Sequence, residues 1–386
     1  MKLEILRPDY VFALLWTTVF GLAYADLYWM GFDYSLRLNM LIGSNIAGFF
    51  IIYNLCNRKI INNPHREINV DYLFMVTKFL FFIWSILFII NIYFSNGIPF
   101  IWSILKVNKS YVDFGVPTLS GFANMLRILT LCIICYQIIK KQNSKIALLY
   151  LFSAILIGSS LLELARGNTI FLLFSILGFI FVGKFFNRKF FIYGSILIAL
   201  FSIIFGYVEK LRSPQGSGGE AIMQYQSVLN RLPYGFTSTY LYVTTPISNL
   251  YYSDTHPKIE PLGFPYHSAI ALVPTIVREK IFHKEYGSSI KLRRESHNAT
   301  SFYAPLLDDF NFYITFLIVS FMQFSLAFTY IKARNGSFFY RLVYGPLFAS
   351  LLLSIFYNYF LTLFIFVYCL SVYGLYIFYG KYQKHN

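Results

Sequence analysis

Residues 72–93 read YLFMVTKFLFFIWSILFIINIY, an apolar run that contains a single charged residue, Lys78. A helix needs about 20 apolar residues to cross a bilayer core, so this run predicts a transmembrane helix. Similar runs recur along the chain, which is 57% hydrophobic and 13% charged with a mean hydropathy of +0.57. Soluble domains carry about 25% charged residues. The sequence therefore predicts an all-α polytopic membrane protein and excludes a soluble globular protein.

Ten apolar runs of this kind predict about ten transmembrane helices. They are Tyr10–Trp29, Leu38–Cys56, Tyr72–Tyr93, Ser120–Ile139, Ile146–Leu164, Ile170–Phe186, Phe191–Val208, Phe310–Ile331, Leu342–Tyr357 and Phe360–Tyr379. No small-residue cleavage site follows the first run, so we expect a retained span and not a removed signal peptide. The chain then divides into seven helices in residues 1–208, a large polar loop in residues 209–309, and three helices in residues 310–386.

Lysines and arginines between the runs predict the orientation, because cytoplasmic loops carry an excess of them. With the N-terminus placed in the cytoplasm, sixteen lie in inside segments: Lys2, Arg7, Arg58, Lys59, Arg66, Lys140, Lys141, Lys145, Lys184, Arg188, Lys189, Lys332, Arg334, Arg341, Lys381 and Lys384. Four lie in short outside loops: Arg37, Lys106, Lys109 and Arg166. This distribution predicts two cytoplasmic termini and an extracytoplasmic large loop. Most of the basic residues flank the predicted helices, so the net charge of +15 reflects membrane topology and contact with anionic lipid headgroups. We therefore expect no nucleic-acid partner.

The large loop carries ten of the 32 Lys and Arg residues, nine of the 17 Asp and Glu residues and four of the six His residues. Two apolar stretches within it, Tyr234–Tyr252 and Gly263–Phe282, contain a proline in mid-run and several polar residues. We interpret them as short amphipathic helices on the membrane surface. If both crossed the membrane, the ends of the loop would still lie on the outer side.

Charged residues inside or at the ends of the predicted helices are candidates for function, because charge within a bilayer is costly. Lys78 lies near the cytoplasmic side and can extend its ammonium to the interface. Arg127 cannot lose its proton and therefore needs an anionic partner or a water-filled cavity. Glu163 and Arg166 are three residues apart and either pair on one helix face or leave Arg166 available to a phosphate. Together with Arg127, Arg212 and Arg231, Arg166 is predicted near the outer leaflet.

The end of the loop supplies candidate acids and bases. His297 is a titratable group in a polar run with Arg293, Arg294, Glu295 and Asn298, and it is either a surface residue or a general base. The spacing of histidines and carboxylates, including Asp308 and Asp309, does not form a metal-binding motif. Cys132 and Cys135 are expected to be apolar helix residues, because the context of a redox pair is lacking.

Three stretches resemble the oligosaccharide repeat-unit polymerases of bacterial surface polysaccharide assembly, the O-antigen polymerases. Asn96-Gly-Ile-Pro-Phe100 and Phe114-Gly-Val-Pro-Thr118 resemble paired Gly-Ile-Pro elements, and Leu164-Ala-Arg-Gly167 resembles an Arg-Gly pair at a helix end. In the large loop, Pro246-Ile-Ser-Asn-Leu250 and His297-Asn298 precede an Asp-Phe-Asn stretch, where the family often has Asp-Phe-Gly. The chain departs from the pattern at Thr118 and at Asn311.

The resemblance implies a glycosyltransferase of the bacterial inner membrane with its loop in the periplasm. Such an enzyme moves a glycan from an undecaprenyl-pyrophosphate carrier onto the non-reducing end of another lipid-linked unit, with inversion and with neither cofactor nor metal ion. Besides both lipid-linked substrates, a chain-length regulator protein is an expected partner. The candidate residues are, for catalysis, His297, Asp308 and Glu295; for pyrophosphate, Arg166, Arg127, Arg212, Arg231 and Arg278; and for substrate, Asn298, Arg293, Arg294 and Tyr240.

Three other functions remain open at this stage. An O-antigen ligase shares the reaction type and the His-Asn pair near the end of a large outer loop. A lipid-linked oligosaccharide flippase belongs to a different class, and the absence of repeat symmetry speaks against it. A membrane acyltransferase would be expected to place its histidine or aspartate near the cytoplasmic face.

Overall fold

Apolar helices dominate the computed structural model, which describes residues 4, 7–27, 32–60, 68–140, 145–184, 234–256, 265–282, 292 and 299–385. The first group comprises α1 Pro8–Tyr24, α2 Leu36–Lys59, α3 Val70–Ser95, α4 Pro99–Ile104, α5 Leu119–Lys140, α6 Ile146–Leu162 and α7 Arg166–Phe181. The second group comprises α8 Tyr234–Thr255, α9 Tyr266–Ala269, α10 Thr275–Phe282, α11 Ala304–Asp309, α12 Phe312–Arg334, α13 Phe338–Leu352 and α14 Leu363–His385.

Six of the described segments are long and apolar enough to cross a membrane. They are Leu36–Lys59, Val70–Ile104, Leu119–Lys140, Phe312–Arg334, Phe338–Ile355 and Leu363–Gln383. The helices Ile146–Leu162 and Arg166–Phe181 are apolar but shorter. The prediction of an all-α membrane protein is confirmed at this level. Helices occupy the positions of nine predicted spans, whereas the tenth, Phe191–Val208, lies outside the described residues.

Polar side chains fix where several of these helices begin. Ser35 accepts a hydrogen bond from the Leu38 amide at the start of α2, and Asn69 accepts from the Asp71 amide at the start of α3. Asn311 accepts from the Ile314 amide at the start of α12. Capping side chains of this kind satisfy amides that have no acceptor within the helix. The asparagine that departs from the family pattern therefore serves as a helix cap.

Basic residues collect at one end of the helix bundle, which we call the basic end. Among the described residues this end carries eleven cations: Arg7, Arg58, Lys59, Lys140, Lys145, Lys184, Lys332, Arg334, Arg341, Lys381 and Lys384. It carries three described acids, Glu4, Asp9 and Asp71. We call the opposite end the site end. Four helices finish there, α1, α3, α6 and α13, and five begin there, α2, α5, α7, α12 and α14. Lys78 is exposed and lies over the ring of Phe74, one turn closer to the basic end.

The helix α8 differs from the expected surface helix, because it packs against the bundle at the site end. Its residues Ile247, Leu250 and Tyr251 are at most 1% exposed and belong to the core. Ser35 donates a hydrogen bond to Asp254, and the Tyr251 hydroxyl donates to Asn39. Pro246 lies inside the helix without ending it. The physical reason is that Tyr251 and Asp254 find hydrogen-bond partners at the start of α2, while the Thr244 hydroxyl donates to the Tyr240 carbonyl within α8.

The two helices α7 and α13 approach closely through glycine. A Cβ atom added to Gly345 would lie 2.6 Å from the Ser175 carbonyl oxygen, and one added to Gly178 would lie 2.8 Å from Cβ of Phe348. Small residues allow helix backbones to approach in membranes, where packing replaces the hydrophobic effect as the driving force. This contact fixes the position of α7, whose first residue lines the candidate site.

We expect Gly345→Ala to destabilise the protein by about 1–3 kcal/mol, because the added methyl group meets backbone that cannot move aside. The measurement is the apparent Tm of the detergent-purified variant. Gly374→Ala in α14 is the matched control, since a Cβ atom there meets nothing within 4 Å. An unchanged Tm for Gly345→Ala would contradict the packing described here.

Candidate functional site

A buried ion pair lies beneath the site end of the bundle. Arg127 of α5 and Glu163, which follows α6, are 1% and 5% exposed. Arg127 Nη1 donates to Asn124 Oδ1 at 2.8 Å and to Glu163 Oε2 at 3.3 Å, and Nη2 donates to Glu163 Oε1. The guanidinium carbon also lies 5.7 Å from the centroid of the Trp84 ring. Of the two alternatives predicted for Arg127, an anionic partner or a water-filled cavity, the structure provides the partner, which is Glu163.

The turn between α6 and α7 separates Glu163 from Arg166. Helix α6 ends at Leu162 and α7 begins at Arg166, while Leu164 adopts a left-handed conformation with φ of +53°. Glu163 and Arg166 consequently do not share a helix face, so the first of the two alternatives, a pair along one helix, is wrong. Glu163 points back to α5, and Arg166 opens the next helix.

The start of α7 presents backbone donors next to Arg166. The preceding residue, Ala165, supplies no side-chain acceptor at the N-cap, and the hydrogen bond from the Thr169 amide to the Ala165 carbonyl closes the first turn. Amides in the first turn of a helix lack intrahelical acceptors and, with the helix dipole, favour anions. Gly167 and Asn168 are exposed in this turn.

A polar cavity of about 600 Å³ lies above the ion pair. Its walls come from the end of α3, the segment before α5, the start of α5, the α6–α7 turn and α8. The lining residues are Asn91, Tyr111, Val112, Phe114, Ser120, Ala123, Asn124, Glu163, Ala165, Arg166, Gly167, Asn168 and Tyr242. The walls contain one cation, Arg166, together with the carboxylate of Glu163, several side-chain amides and two tyrosines. These groups suit a ligand that has both an anionic group and hydroxyl groups.

The two Gly-x-Pro elements lie directly after α3 and shortly before α5, and the second directly follows the lining residue Phe114. Gly97 and Gly115 adopt φ of +124° and +94°, a region that only glycine enters readily. The Gly115 amide donates to Ser95 Oγ at 2.7 Å, and the Val116 amide donates to Asn91 Oδ1 at 2.9 Å. A Cβ atom on Gly115 would lie 2.8 Å from Cβ of Ser120. The glycines therefore let the segment between α4 and α5 pack closely on the helix ends.

A second cavity, of about 240 Å³, adjoins the first through the shared lining residue Ser120. Arg278 of α10 lines it, together with Thr118, Tyr357 and Thr362. The structure thus brings Arg278 and Arg166, which are far apart in sequence, into two cavities that share Ser120 at the start of α5. Arg127 lies deeper and is neutralised by Glu163.

Asp309 anchors the segment that carries Arg278. Asp309 is fully buried, and its carboxylate accepts hydrogen bonds from the His267 amide at 2.8 Å and from the Ser268 amide and hydroxyl at 2.6 Å each. These bonds attach α9 to α11. The neighbouring Asp308, a predicted catalytic residue, is also buried, at 8% exposure. Neither carboxylate lines the first cavity.

The predicted substrate residue Tyr240 lies in α8 and contacts the end of α1. Its hydroxyl donates to the Leu22 carbonyl at 2.8 Å and accepts from the Leu27 amide at 3.0 Å. These contacts give Tyr240 a positioning task for α8, while Tyr242, two residues later, lines the first cavity. Its substrate role stays a prediction.

Seven of the predicted site residues lie outside the described residues: Arg212, Arg231, Arg293, Arg294, Glu295, His297 and Asn298. The nearest described neighbour of His297 is Ala299, whose carbonyl accepts a hydrogen bond from Asn249 Nδ2 at 3.0 Å. Asn249 and His297 belong to stretches that carried the family resemblance.

Sequence reasoning missed several lining residues, chiefly Asn91, Tyr111, Asn124 and Asn168. A signal existed for Asn124, because it precedes Arg127 by three residues and shares its helix face. Asn91 and Asn168 are polar residues at helix ends, where capping is the ordinary interpretation. In the described ranges no group of three or more His, Cys, Asp or Glu side chains is arranged to bind a metal ion.

No protein-family model, curated protein or solved structure matches this chain.

We expect Glu163→Gln to cost about 3–5 kcal/mol of stability, because it leaves the Arg127 charge buried without a counterion. The double variant Arg127→Met with Glu163→Leu should recover most of that loss, since it removes both charges. The readout is the apparent Tm in detergent. Glu4→Gln is the control: its pair with Arg334 is partly exposed, with side chains 16% and 25% accessible, so its loss should cost about 1 kcal/mol or less. Equal effects of Glu163→Gln and Glu4→Gln would refute the importance of the buried pair.

Proposed function

We propose that the protein is a polymerase of surface polysaccharide repeat units. In this proposal it transfers a growing glycan from a polyprenyl-pyrophosphate carrier onto the non-reducing end of a second lipid-linked unit. The observation that carries the proposal is the cavity of about 600 Å³ in which Arg166 and the start of α7 face a polar wall at one end of a membrane helix bundle. Its position at the ends of membrane helices suits a substrate whose carrier remains in the bilayer.

The proposed location is the cytoplasmic membrane of a bacterium, with ten spans and with residues 209–309 in the periplasm. The excess of cations at the basic end supports a cytoplasmic position for that end. The site end then faces the periplasm. Lipid-linked repeat units are available there once they have crossed the membrane.

Two adjoining cavities suit a reaction that joins two lipid-linked molecules. Each cavity contains one arginine, Arg166 or Arg278, and Ser120 lines both. Arginine binds phosphate oxygens through parallel hydrogen bonds and keeps its charge at any physiological pH. The first cavity is the larger one, and its tyrosines and amides suit the hydroxyl groups of sugars.

The proposed chemistry is a direct displacement. A hydroxyl oxygen of the acceptor sugar forms a bond to the anomeric carbon of the donor, and the bond from that carbon to the pyrophosphate oxygen breaks. The hydroxyl proton passes to a general base, for which His297 is the first candidate. Polyprenyl pyrophosphate leaves with the bonding electron pair, and Arg166 with the first-turn amides of α7 stabilises its charge. Displacement of this kind inverts the anomeric centre.

Arg166→Ala should weaken binding of a polyprenyl-pyrophosphate-linked repeat unit by about 10–100-fold, because charge-assisted hydrogen bonds contribute about 1.5–3 kcal/mol each. Arg166→Lys should retain part of the affinity. The measurement combines binding to purified protein with the appearance of a product ladder from lipid-linked repeat units, with and without a chelator. The ladder should not depend on the chelator.

Arg37→Ala is the matched control, because Arg37 is an exposed cation at the site end and lines neither cavity. If Arg166→Ala bound substrate and formed polymer like Arg37→Ala, the proposal for this cavity would be wrong. Translocation of the lipid-linked unit without any new glycosidic bond would identify a flippase instead. In cells, single repeat units on the lipid A core indicate loss of a polymerase, whereas an unmodified core indicates loss of a ligase.

His297→Ala should separate catalysis from binding. We expect it to lower the rate of transfer by about 10²–10⁴-fold while substrate affinity stays within a few-fold of wild type, because a general base acts in the transition state. Single-turnover kinetics with purified protein give both quantities. A normal rate of transfer would show that His297 is not the general base. The cavity that contains Arg166 would still be tested by the Arg166 variants.

A further inference from the structure

A different cavity lies at the basic end, far from the site described above. It has a volume of about 560 Å³ and occupies the crevice between the first half of α13 and the second half of α14. Its walls are mainly apolar and aromatic and include Phe339, Tyr340, Val343, Val372, Tyr373 and Tyr376. Ligand pockets commonly have volumes of about 300–1,000 Å³ and apolar walls, so this crevice is of the size that takes a ligand.

The crevice borders the surface that the helix bundle presents to lipid. Both of its helices are among the membrane-crossing segments, and only 22% of the most apolar window of α14 is buried. Tyr373 and Tyr376 are 61% and 56% exposed, so they form an outer wall that the protein does not cover. A molecule can therefore enter from the side, within the bilayer.

Two lysines lie next to the crevice without being among the residues that line it. Lys381 is exposed and directly follows Gly380, a lining residue. Lys332 lies over the ring of Phe328, at 6.0 Å from its centroid, and Phe328 packs edge-on against the lining residue Tyr340. Both lysines belong to the basic end.

Among the described residues, no acid of this end pairs with Lys332 or Lys381. Of the three described acids, Glu4 pairs with Arg334 and Asp9 pairs with Arg7. The third, Asp71, lies in the first turn of α3, where the helix dipole stabilises a carboxylate. The crevice therefore combines an apolar interior with a cationic border, which complements a lipid with an anionic headgroup.

We propose that this crevice binds one anionic phospholipid of the surrounding bilayer. An acyl chain lies between α13 and α14, and the phosphate lies at Lys332 and Lys381. Lipid tails have no hydrophobic preference for protein over other lipids, so specific retention requires shape and charge together. The bound lipid stabilises the α13–α14 pair. This site is independent of the proposed polymerase activity.

The test is the apparent Tm of the detergent-purified full chain with phosphatidylglycerol or with phosphatidylcholine of the same acyl chains. A ligand that binds the folded state raises the Tm with concentration. Phosphatidylglycerol should raise it at a concentration at which phosphatidylcholine has little effect. Lys332→Gln with Lys381→Gln should weaken this response about tenfold or more, since each lysine near an anionic headgroup contributes to binding.

Arg58→Gln with Lys59→Gln is the matched control, because it removes two exposed cations of the same end on α2, where they do not line the crevice. This control should keep the wild-type response to phosphatidylglycerol. Equal loss in both double variants would show a diffuse surface effect and overturn the proposal. An equal response of wild-type protein to both lipids, or no response, would overturn it as well.

Val343→Phe tests the apolar part of the site, because it fills the crevice without changing charge. The readout is the number of phosphatidylglycerol molecules that remain bound in native mass spectrometry, which does not depend on the stability of the variant. We expect one retained lipid for wild type and none for Val343→Phe. Retention of that lipid by a folded Val343→Phe protein would refute binding in the crevice.

Discussion

The ion pair between Arg127 and Glu163 is the constraint on which the site end depends. A guanidinium keeps its proton, so Arg127 can be buried among helices only beside an anion. Glu163 provides that anion from the turn after α6, and Asn124 accepts a further hydrogen bond from the same guanidinium. The pair therefore fixes the α6–α7 turn against α5. Since α7 begins three residues after Glu163, the position of Arg166 follows from it.

Irregular backbone at the site end is stabilised in the same way, by buried polar side chains. Peptide groups away from water require internal hydrogen-bond partners, and in a membrane protein non-helical backbone is tolerated where protein or a polar cavity provides them. Asn91 and Ser95 bind the Gly115–Val116 segment, and Asp309 binds the start of α9. These side chains position the walls of both cavities while leaving Arg166 and Arg278 in them.

The two ends of the bundle differ in charge and therefore in the ligands they suit. The basic end has a large excess of cations around an apolar crevice, which suits the anionic surface of a membrane. Among the described residues, the site end has one arginine in each of two cavities, and its charges are nearly balanced. An arginine in a cavity binds one defined anionic group, whereas a dispersed excess of positive charge is attracted to an anionic membrane surface. In our proposals these are a pyrophosphate and a phospholipid headgroup, respectively.

The sequence by itself determined the class of the protein and the approximate position of its helices. Runs such as 72–93 admit no soluble alternative, because length and hydropathy decide whether a segment suits a bilayer. The need of Arg127 for an anion or a water-filled cavity was also evident from its chemistry. Its partner was not, because Glu163 is 36 residues away in sequence and a pair with the nearby Arg166 was one of two open alternatives.

Only the tertiary structure decided that Leu164 turns the chain there, and that α5 approaches Glu163 from another direction. It likewise brought Arg278 beside Ser120 and gave Asp309, not Asp308, the task of anchoring α9. Such contacts join residues tens to hundreds of positions apart, so local periodicity carries no information on them. Hydropathy sets the length of a helix, whereas packing and hydrogen bonding between helices set which polar groups meet.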